Sequence, residues 1–224
     1  MRTLARRVAR TPLELQAGRI LDELPTIELV EVSGPTTFEA HVAEASGRHA
    51  WSLGAAEQIV LQAVVSGRHV RSAFEIGTFN GGTTRVLAEA LPSDGAVVTI
   101  DLPPVEFDAS QSPRHFVGGD VGRQHRDSPA AGKVTQLLED SLAFDPSPYA
   151  GKFDLVLVDG GHEYVHGTAD TRTALELVAP GGVILWDDFA PYWHGLVRGI
   201  CEQMRGRSLC RLAGTSFGVY VDGT

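Results

Sequence analysis

Basic residues, cysteines and long apolar runs are all scarce in this chain. Lys and Arg total 19 against 28 Asp and Glu, a formal net charge of -9. Phosphate backbones are held by basic faces, so this balance argues against a nucleic-acid partner. The two cysteines, Cys201 and Cys210, match no zinc or redox spacing and form no disulfide framework. They fit reduced thiols in a cytoplasmic protein. No run approaches the roughly 18 apolar residues of a membrane span, so no membrane partner is expected. Arg2, Arg6, Arg7 and Arg10 give the first residues a transit-like look. They lack the apolar core of a secretory signal, and Glu14, Asp22 and Glu23 follow soon. A surface helix or a lid is the expectation. There is no internal repeat and no low-complexity tract.

The chain has 224 residues, 43% of them hydrophobic and 21% charged, which is ordinary for one globular domain with a modest extension. Apolar spacing over residues 1–31 is helical, with Pro12 as an interruption, and Ile27 to Val32 reads as a short extended piece. A helix is expected from Ser52, its N-cap, to Val65. From there strands and helices alternate. Strands are expected at 72–76, 96–100, 133–138, 153–158 and 183–186. Helices are expected at about 83–91, 164–178 and 195–204. Residues 102–133 read as a long functional or mobile loop, with some helix near Val121 to Arg126. Pro180-Gly181-Gly182 reads as a tight turn. Residues 208–212 and 217–221 read as a closing hairpin. Alternation of this kind predicts an α/β fold, a mostly parallel sheet with helices on both faces and an antiparallel last strand.

Acids stand at the predicted strand ends: Asp101, Asp140, Asp159, Asp187 and Asp188. Ligands of open α/β sheets sit outside those ends, near the switch point of the strand order. The loop Gly77-Thr78-Phe79-Asn80-Gly81-Gly82 allows close backbone approach. Its spacing departs from the dinucleotide fingerprint G-x-G-x-x-G, and Glu75 precedes it. An acid there suits the amine of an amino-acid-bearing cofactor, whereas a pyrophosphate prefers an uncluttered helix N-terminus. Taken alone, the loop is also compatible with a tight turn that holds no ligand. Asp101, 24 positions after Gly77, can accept both ribose hydroxyls or can be a solvated acid.

If the strands ending at Asp159 and at Asp187-Asp188 are neighbours, their ends lie roughly 5 Å apart. Three carboxylates so gathered repel one another unless a cation joins them, and hard oxygen ligands suit Mg²⁺. The alternative is that some serve as helix N-caps. His162 can act as a general base or can orient its loop. His41, His49, His115, His125 and His194 have no partner pattern and read as surface or loop histidines. Trp186 reads as core. Tyr192 and Trp193 lie beyond a strand end, where they could wall a substrate pocket.

Glu75-Ile76-Gly77-Thr78-Phe79-Asn80-Gly81-Gly82-Thr83 resembles motif I of class I S-adenosylmethionine (SAM)-dependent methyltransferases. The run from Phe153 to Tyr164, followed by Pro180-Gly181-Gly182-Val183-Ile184-Leu185-Trp186-Asp187-Asp188, resembles the small-molecule O-methyltransferases among them. The resemblance covers about residues 52–221. It implies a Rossmann-like three-layer sandwich with a seven-stranded sheet. It also implies that Glu75, Gly77 and Gly81 hold the methionine part of SAM, Asp101 the ribose, and Asp140 and Ser141 the adenine border. Thr78, Phe79, Asn80, Thr83, Leu102 and Asp159 complete the implied cofactor set. In metal-dependent relatives, acids at the positions of Asp159, Asp187 and Asp188 bind Mg²⁺. Gly160-Gly161 stand where such relatives often carry lysine or another polar residue, so His162 takes the base role by proximity, with Asp159 beside it.

The expected organisation is one methyltransferase domain, 1–224. Residues 1–50 form a helical extension or lid, and 52–221 the SAM-binding core. The expected activity is O-methylation of a hydroxylated small molecule, with or without a divalent cation. An NAD-linked oxidoreductase or a non-catalytic nucleoside-binding module are the alternatives of another class. The amphipathic N-terminal segment could pack against a second subunit, giving a homodimer or higher homo-oligomer.

Overall fold

Along β5 (Phe153–Val158), Leu155 and Leu157 face one side of the sheet and Val156 and Val158 the other. Successive strand residues must point to opposite faces, and all four are buried, so this strand needs cover on both sides. Two cores result. Burying each such side chain contributes roughly 1.5–3 kcal/mol. On one face β5 packs with Leu61, Val64 and Leu87, from α3 (Ala55–Gly67) and α4 (Gly82–Ala90). On the other it packs with Leu21, Leu177 and Ile200, from α1 (Pro12–Glu23), α6 (Tyr164–Leu177) and α7 (His194–Gln203). The computed structural model describes residues 10–42, 53–103 and 121–223.

The remaining elements are β1 (Thr26–Ile27), α2 (Leu29–Ser33), β2 (Ser72–Ile76), β3 (Ala96–Asp101), α5 (Arg123–Arg126), β4 (Val134–Leu138), β6 (Val178–Trp186), β7 (Cys210–Leu212) and β8 (Gly218–Val221). The sheet order is β1-β7-β8-β6-β5-β2-β3-β4. Among the described strands, only β8 runs antiparallel to its neighbours. The three-layer, mostly parallel architecture matches the expectation, with eight strands in place of seven. The extra strand is β1, two residues that pair with β7 at the edge.

Local chemistry explains three further differences. Pro12 starts α1 instead of interrupting a helix. It occupies the first turn, where a missing N–H costs nothing, and Thr11 and Glu14 form a reciprocal capping box. The expected extended piece at 27–32 is mostly α2, where Glu28 and Glu31 cap one another. Pro180-Gly181-Gly182 lies within β6 as an irregularity: the pairing with β5 shifts register between Phe153 and Leu155. The proposed N-cap Ser52, His49, His115 and much of the 102–133 loop lie outside the described residues. Among the described residues, no helix is long and apolar enough to cross a membrane.

Candidate active site

The chain proceeds from β2 outward to β3 and β4, then returns to place β5 on the other side of β2. That reversal opens a crevice at the strand ends. The backbone ladder continues past the strands and fixes the rim. Gly77 N–H donates to Ile100 O at 2.9 Å, Asp159 N–H to Ile76 O at 2.8 Å, and Asp187 N–H to Val158 O at 3.0 Å. Asp101, Asp159 and Asp187 are thereby carried on one edge.

Gly77 is required by contact as well as by conformation. Its φ is +103°, and a Cβ there would lie 1.9 Å from Asp159 O. The first residues of β2's loop and of β5's loop therefore touch backbone to backbone. Asn80 Oδ1 accepts from Gly82 N–H at 2.9 Å, and Gly81 turns through φ +83° into α4. Asp101 ties this loop to β3, accepting from Phe79 N–H at 2.6 Å and from Leu102 N–H at 2.7 Å.

Beneath the loop lies a polar chain. The Thr78 and Thr99 hydroxyls meet at 2.7 Å. Thr99 and Thr84 donate to Glu75 Oε2 at 2.6 and 2.5 Å. Glu75 is fully buried, and its Oε1 has no partner among the described residues. Burial pushes its carboxyl up to about 8, against the lowering effect of the two hydroxyls.

A cavity of about 530 Å³ fills the crevice. Six carboxylates line it: Glu57, Asp101, Asp140, Asp159, Asp187 and Asp188. No lysine or arginine stands among the described lining residues. Burial raises the Asp159 carboxyl well above the carboxylate range, and the charges of Asp187, Glu75, Asp188 and Asp101 raise it further. Burial also lifts Asp187 to about 6, with Asp188 adding to the effect. Asp101 is raised by burial, which outweighs its backbone hydrogen bonds.

Asp188 has φ +54°, an uncommon conformation that Asp tolerates better than most residues. Its Oδ2 sits 2.7 Å from His162 Nε2. The imidazole stacks on Trp193, with ring centroids 4.1 Å apart and planes at 23°. Asp187 Oδ1 accepts from Ser216 in the β7–β8 turn at 2.9 Å. Among the described residues, no set of three or more His, Cys, Asp or Glu is arranged as a metal site. Asp159, Asp187 and Asp188 nevertheless face one cavity, and no lysine or arginine among the described lining residues relieves their repulsion; His162 meets Asp188 alone. This donor set suits a hard cation in kind.

The cavity brings together Gly77, Phe79, Asp101, Leu102, Asp140 and Ser141 with Asp159, His162, Asp187 and Asp188. Glu75 in β2, Thr78, Asn80 and Gly81 in the loop, and Thr83 in α4 support the cavity and do not line it. Sequence reasoning missed Glu57, His166 and Ser216. Glu57 comes from α3 and Ser216 from the last hairpin, far from the acids in sequence. Trp186 is core as expected, its Nε1–H donating to Thr171. His125 is buried rather than superficial and pairs with Gln136 at 3.1 Å. It packs beneath Gly81 and Gly122, and its burial lowers the imidazole's basicity.

A protein-family model described as a methyltransferase domain matches residues 74–189. Caffeoyl-CoA O-methyltransferase 2 of Populus trichocarpa is 25% identical over 158 residues, 69% of this chain and 60% of that protein. Caffeoyl-CoA O-methyltransferase of Petroselinum crispum is 27% identical, over 69% of this chain and 61% of its own length. The match thus spans about three fifths of these curated relatives. Among solved structures, the O-methyltransferase TomG from Streptomyces achromogenes, in complex with SAM, is similar with a TM-score of 0.55 and 25% identity. That likeness covers 77% of this chain and 82% of TomG. An O-methyltransferase from Bacillus cereus shares the fold, with a TM-score of 0.55 at 18% identity over 96% of this chain and 91% of its own.

Proposed function

The chain belongs to the methyltransferase-domain family, and from that premise we propose that it transfers the methyl group of SAM to a hydroxyl of a small molecule. The observation that carries this is the cavity's charge. Six carboxylates without a lysine or arginine repel a diphosphate but attract the sulfonium and ammonium of SAM. The same observation weighs against an NAD-linked reaction. The SAM-bound relative and the O-methyltransferase relatives support both the donor and the oxygen acceptor.

Each residue then has a task. Asp101 retains lone pairs beyond its two backbone bonds and can receive ribose hydroxyls. Asp140 and Ser141 border the adenine, and Leu102 covers it. Glu75 acts from below, holding the loop through Thr84 and Thr99. With Nε2–H of His162 directed to Asp188, its Nδ1 is left to take the acceptor's proton. The acceptor oxygen forms its bond to the methyl carbon as the carbon–sulfur bond breaks, and the electron pair leaves on sulfur. The protein's main contribution is orientation. Asp159, Asp187 and Asp188 would hold a divalent cation such as Mg²⁺, which when bound lowers the pKa of the hydroxyl to be methylated. The proposed organisation is a single domain over 1–224, with a 52–221 core and a 1–50 extension that helps close the site. It would act in the cytoplasm on a small hydroxylated acceptor rather than a nucleic acid or membrane, as a homodimer or higher homo-oligomer.

Calorimetric titration with S-adenosylhomocysteine and, separately, NADH tests the donor. S-adenosylhomocysteine should bind and NADH should not. Tight NADH binding without a response to S-adenosylhomocysteine would overturn the assignment.

A further inference from the structure

A second cavity, of about 1100 Å³, lies beside the first, and His162 and Trp193 line both. Its walls come from α1, from the turn Pro191–Trp193, and from α6 and α7. Two properties separate it from the cofactor cavity. The first is aromatic surface. Tyr192 meets Trp193 edge-on, with centroids 4.8 Å apart at 78°, yet remains 68% exposed. Tyr164, on the same cavity, is 42% exposed.

The second is the presence of arginine beside the three lining glutamates Glu14, Glu163 and Glu202. Arg198 and Arg205 line this cavity, whereas the first has neither Lys nor Arg among its described residues. Arg198 is already engaged: it bonds Glu202 Oε1 at 2.9 Å and lies 5.1 Å over the Tyr164 ring. The Tyr164 hydroxyl donates to Glu202 Oε2 at 2.6 Å. Glu14 is spent on the α1 cap. Glu163 stands at the α6 N-terminus, next to His162. Arg205 is exposed and makes no hydrogen bond or ion pair with a described residue; its charge lowers the Glu202 carboxyl. One cation at the far end is thus left to a ligand.

The span of α7 sets the ligand's length. The helix starts against Tyr164, close to His162, where Gly195 packs on the Tyr164 backbone. Its ten residues cover roughly 15 Å before Arg205. Allowing for the reach of an arginine, a ligand of roughly 10 Å fills the interval.

We propose that this second cavity is the acceptor pocket and that it takes an elongated hydroxylated aromatic carboxylate. The hydroxyl lies at His162, the ring against Trp193 and Tyr192, and the carboxylate on Arg205. The assignment rests on the methyltransferase reading for the role of the hydroxyl, but its recognition chemistry stands apart.

The probes are 4'-hydroxybiphenyl-4-carboxylate, rigid and of about the required length, and its neutral carboxamide, titrated both into ligand-free protein and into protein saturated with S-adenosylhomocysteine. The carboxylate should bind about tenfold more tightly than the amide, as a charge-assisted contact implies. Arg205→Ala should abolish that preference and leave amide binding unchanged. Tyr192→Ala should weaken both probes alike, and neither variant should alter S-adenosylhomocysteine affinity. Absence of binding by the carboxylate, equal affinities in the wild type, or a preference that survives Arg205→Ala would overturn the assignment. Failure of wild-type protein to bind S-adenosylhomocysteine would instead strike the methyltransferase reading, because the carboxylate preference is also read in ligand-free protein.

Discussion

Replacing Glu75 with glutamine should change how stability depends on pH. The Glu75 carboxyl is raised from an ordinary 4.5 to about 8 because it is buried beneath the glycine loop. The folded protein therefore keeps a proton there that the unfolded chain has lost. Between about pH 4.5 and 8, stability falls as pH rises, because ionising the buried group is disfavoured. Below that window both states are protonated and the effect vanishes. Within it, the penalty grows by about 1.4 kcal/mol per pH unit. Between about pH 5.5 and 7.5 this amounts to about 2–3 kcal/mol.

The Glu75→Gln side chain cannot ionise. Its amide oxygen accepts from Thr84 and Thr99, but an NH₂ group then stands where Oε1 has no partner among the described residues. That cost, about 1–3 kcal/mol, is the same at every pH. The stability difference, Glu75→Gln minus wild type, should thus move in favour of the variant by about 2–3 kcal/mol from about pH 5.5 to 7.5. For a chain of this size that is roughly 5–10 °C in melting temperature. Urea denaturation of ligand-free protein at both pH values measures it. A difference that stays constant across the window would refute the placement of a protonated acid under the loop.

Three other outcomes are expected. Gly77→Ala should destabilise by at least about 2 kcal/mol, since the methyl would collide with Asp159 O at a positive φ, and urea denaturation reads this directly. His162→Ala and Asp188→Asn should each lower methyl transfer, His162→Ala by about 10²-fold or more, while S-adenosylhomocysteine affinity stays within a factor of about two. The double variant should be worse than His162→Ala, because Asp188 would also hold the cation, and a double variant equal to His162→Ala would confine Asp188 to orienting the imidazole. EDTA should suppress turnover and Mg²⁺ restore it, whereas Asp159→Ala should not be rescued; turnover intact under both treatments would exclude the metal-assisted step.

The strand-end acids were legible in the sequence because each closes an apolar run, and a run that stops in an acid marks where the core stops. The β5–β6 adjacency that gathers Asp159 with Asp187 and Asp188 was an inference conditional on pairing, and Val158 opposite Trp186 meets the condition. The role of Pro12 was misjudged because proline breaks a helix it follows but begins one it leads, and the Thr11–Glu14 box decides between them. Glu75 looked like a cofactor contact because it precedes the loop. In β2 its side chain turns under the loop, and Thr78, Thr84 and Thr99 are its company. Ser216 and Glu57 carried no local signal, since neither sits at a strand end or in a recognisable motif.

By itself the sequence determined the alternation of strands and helices, the glycine loop and the row of acids. These are local: they follow from apolar periodicity, from backbone freedom at glycine, and from where each buried run ends. Only the tertiary structure decided which of those groups share a space. It sank Glu75 beneath the loop, left the crevice cavity without a lysine or arginine among its described lining residues, and turned Asp188 toward His162. It also set α1 against α7 to make a second cavity lined by aromatic rings and by two arginines among three glutamates. Such facts depend on contacts between residues far apart in the chain, such as the approach of Arg211 to Leu21. No periodicity records them, because burial and charge pairing act through space rather than along the chain.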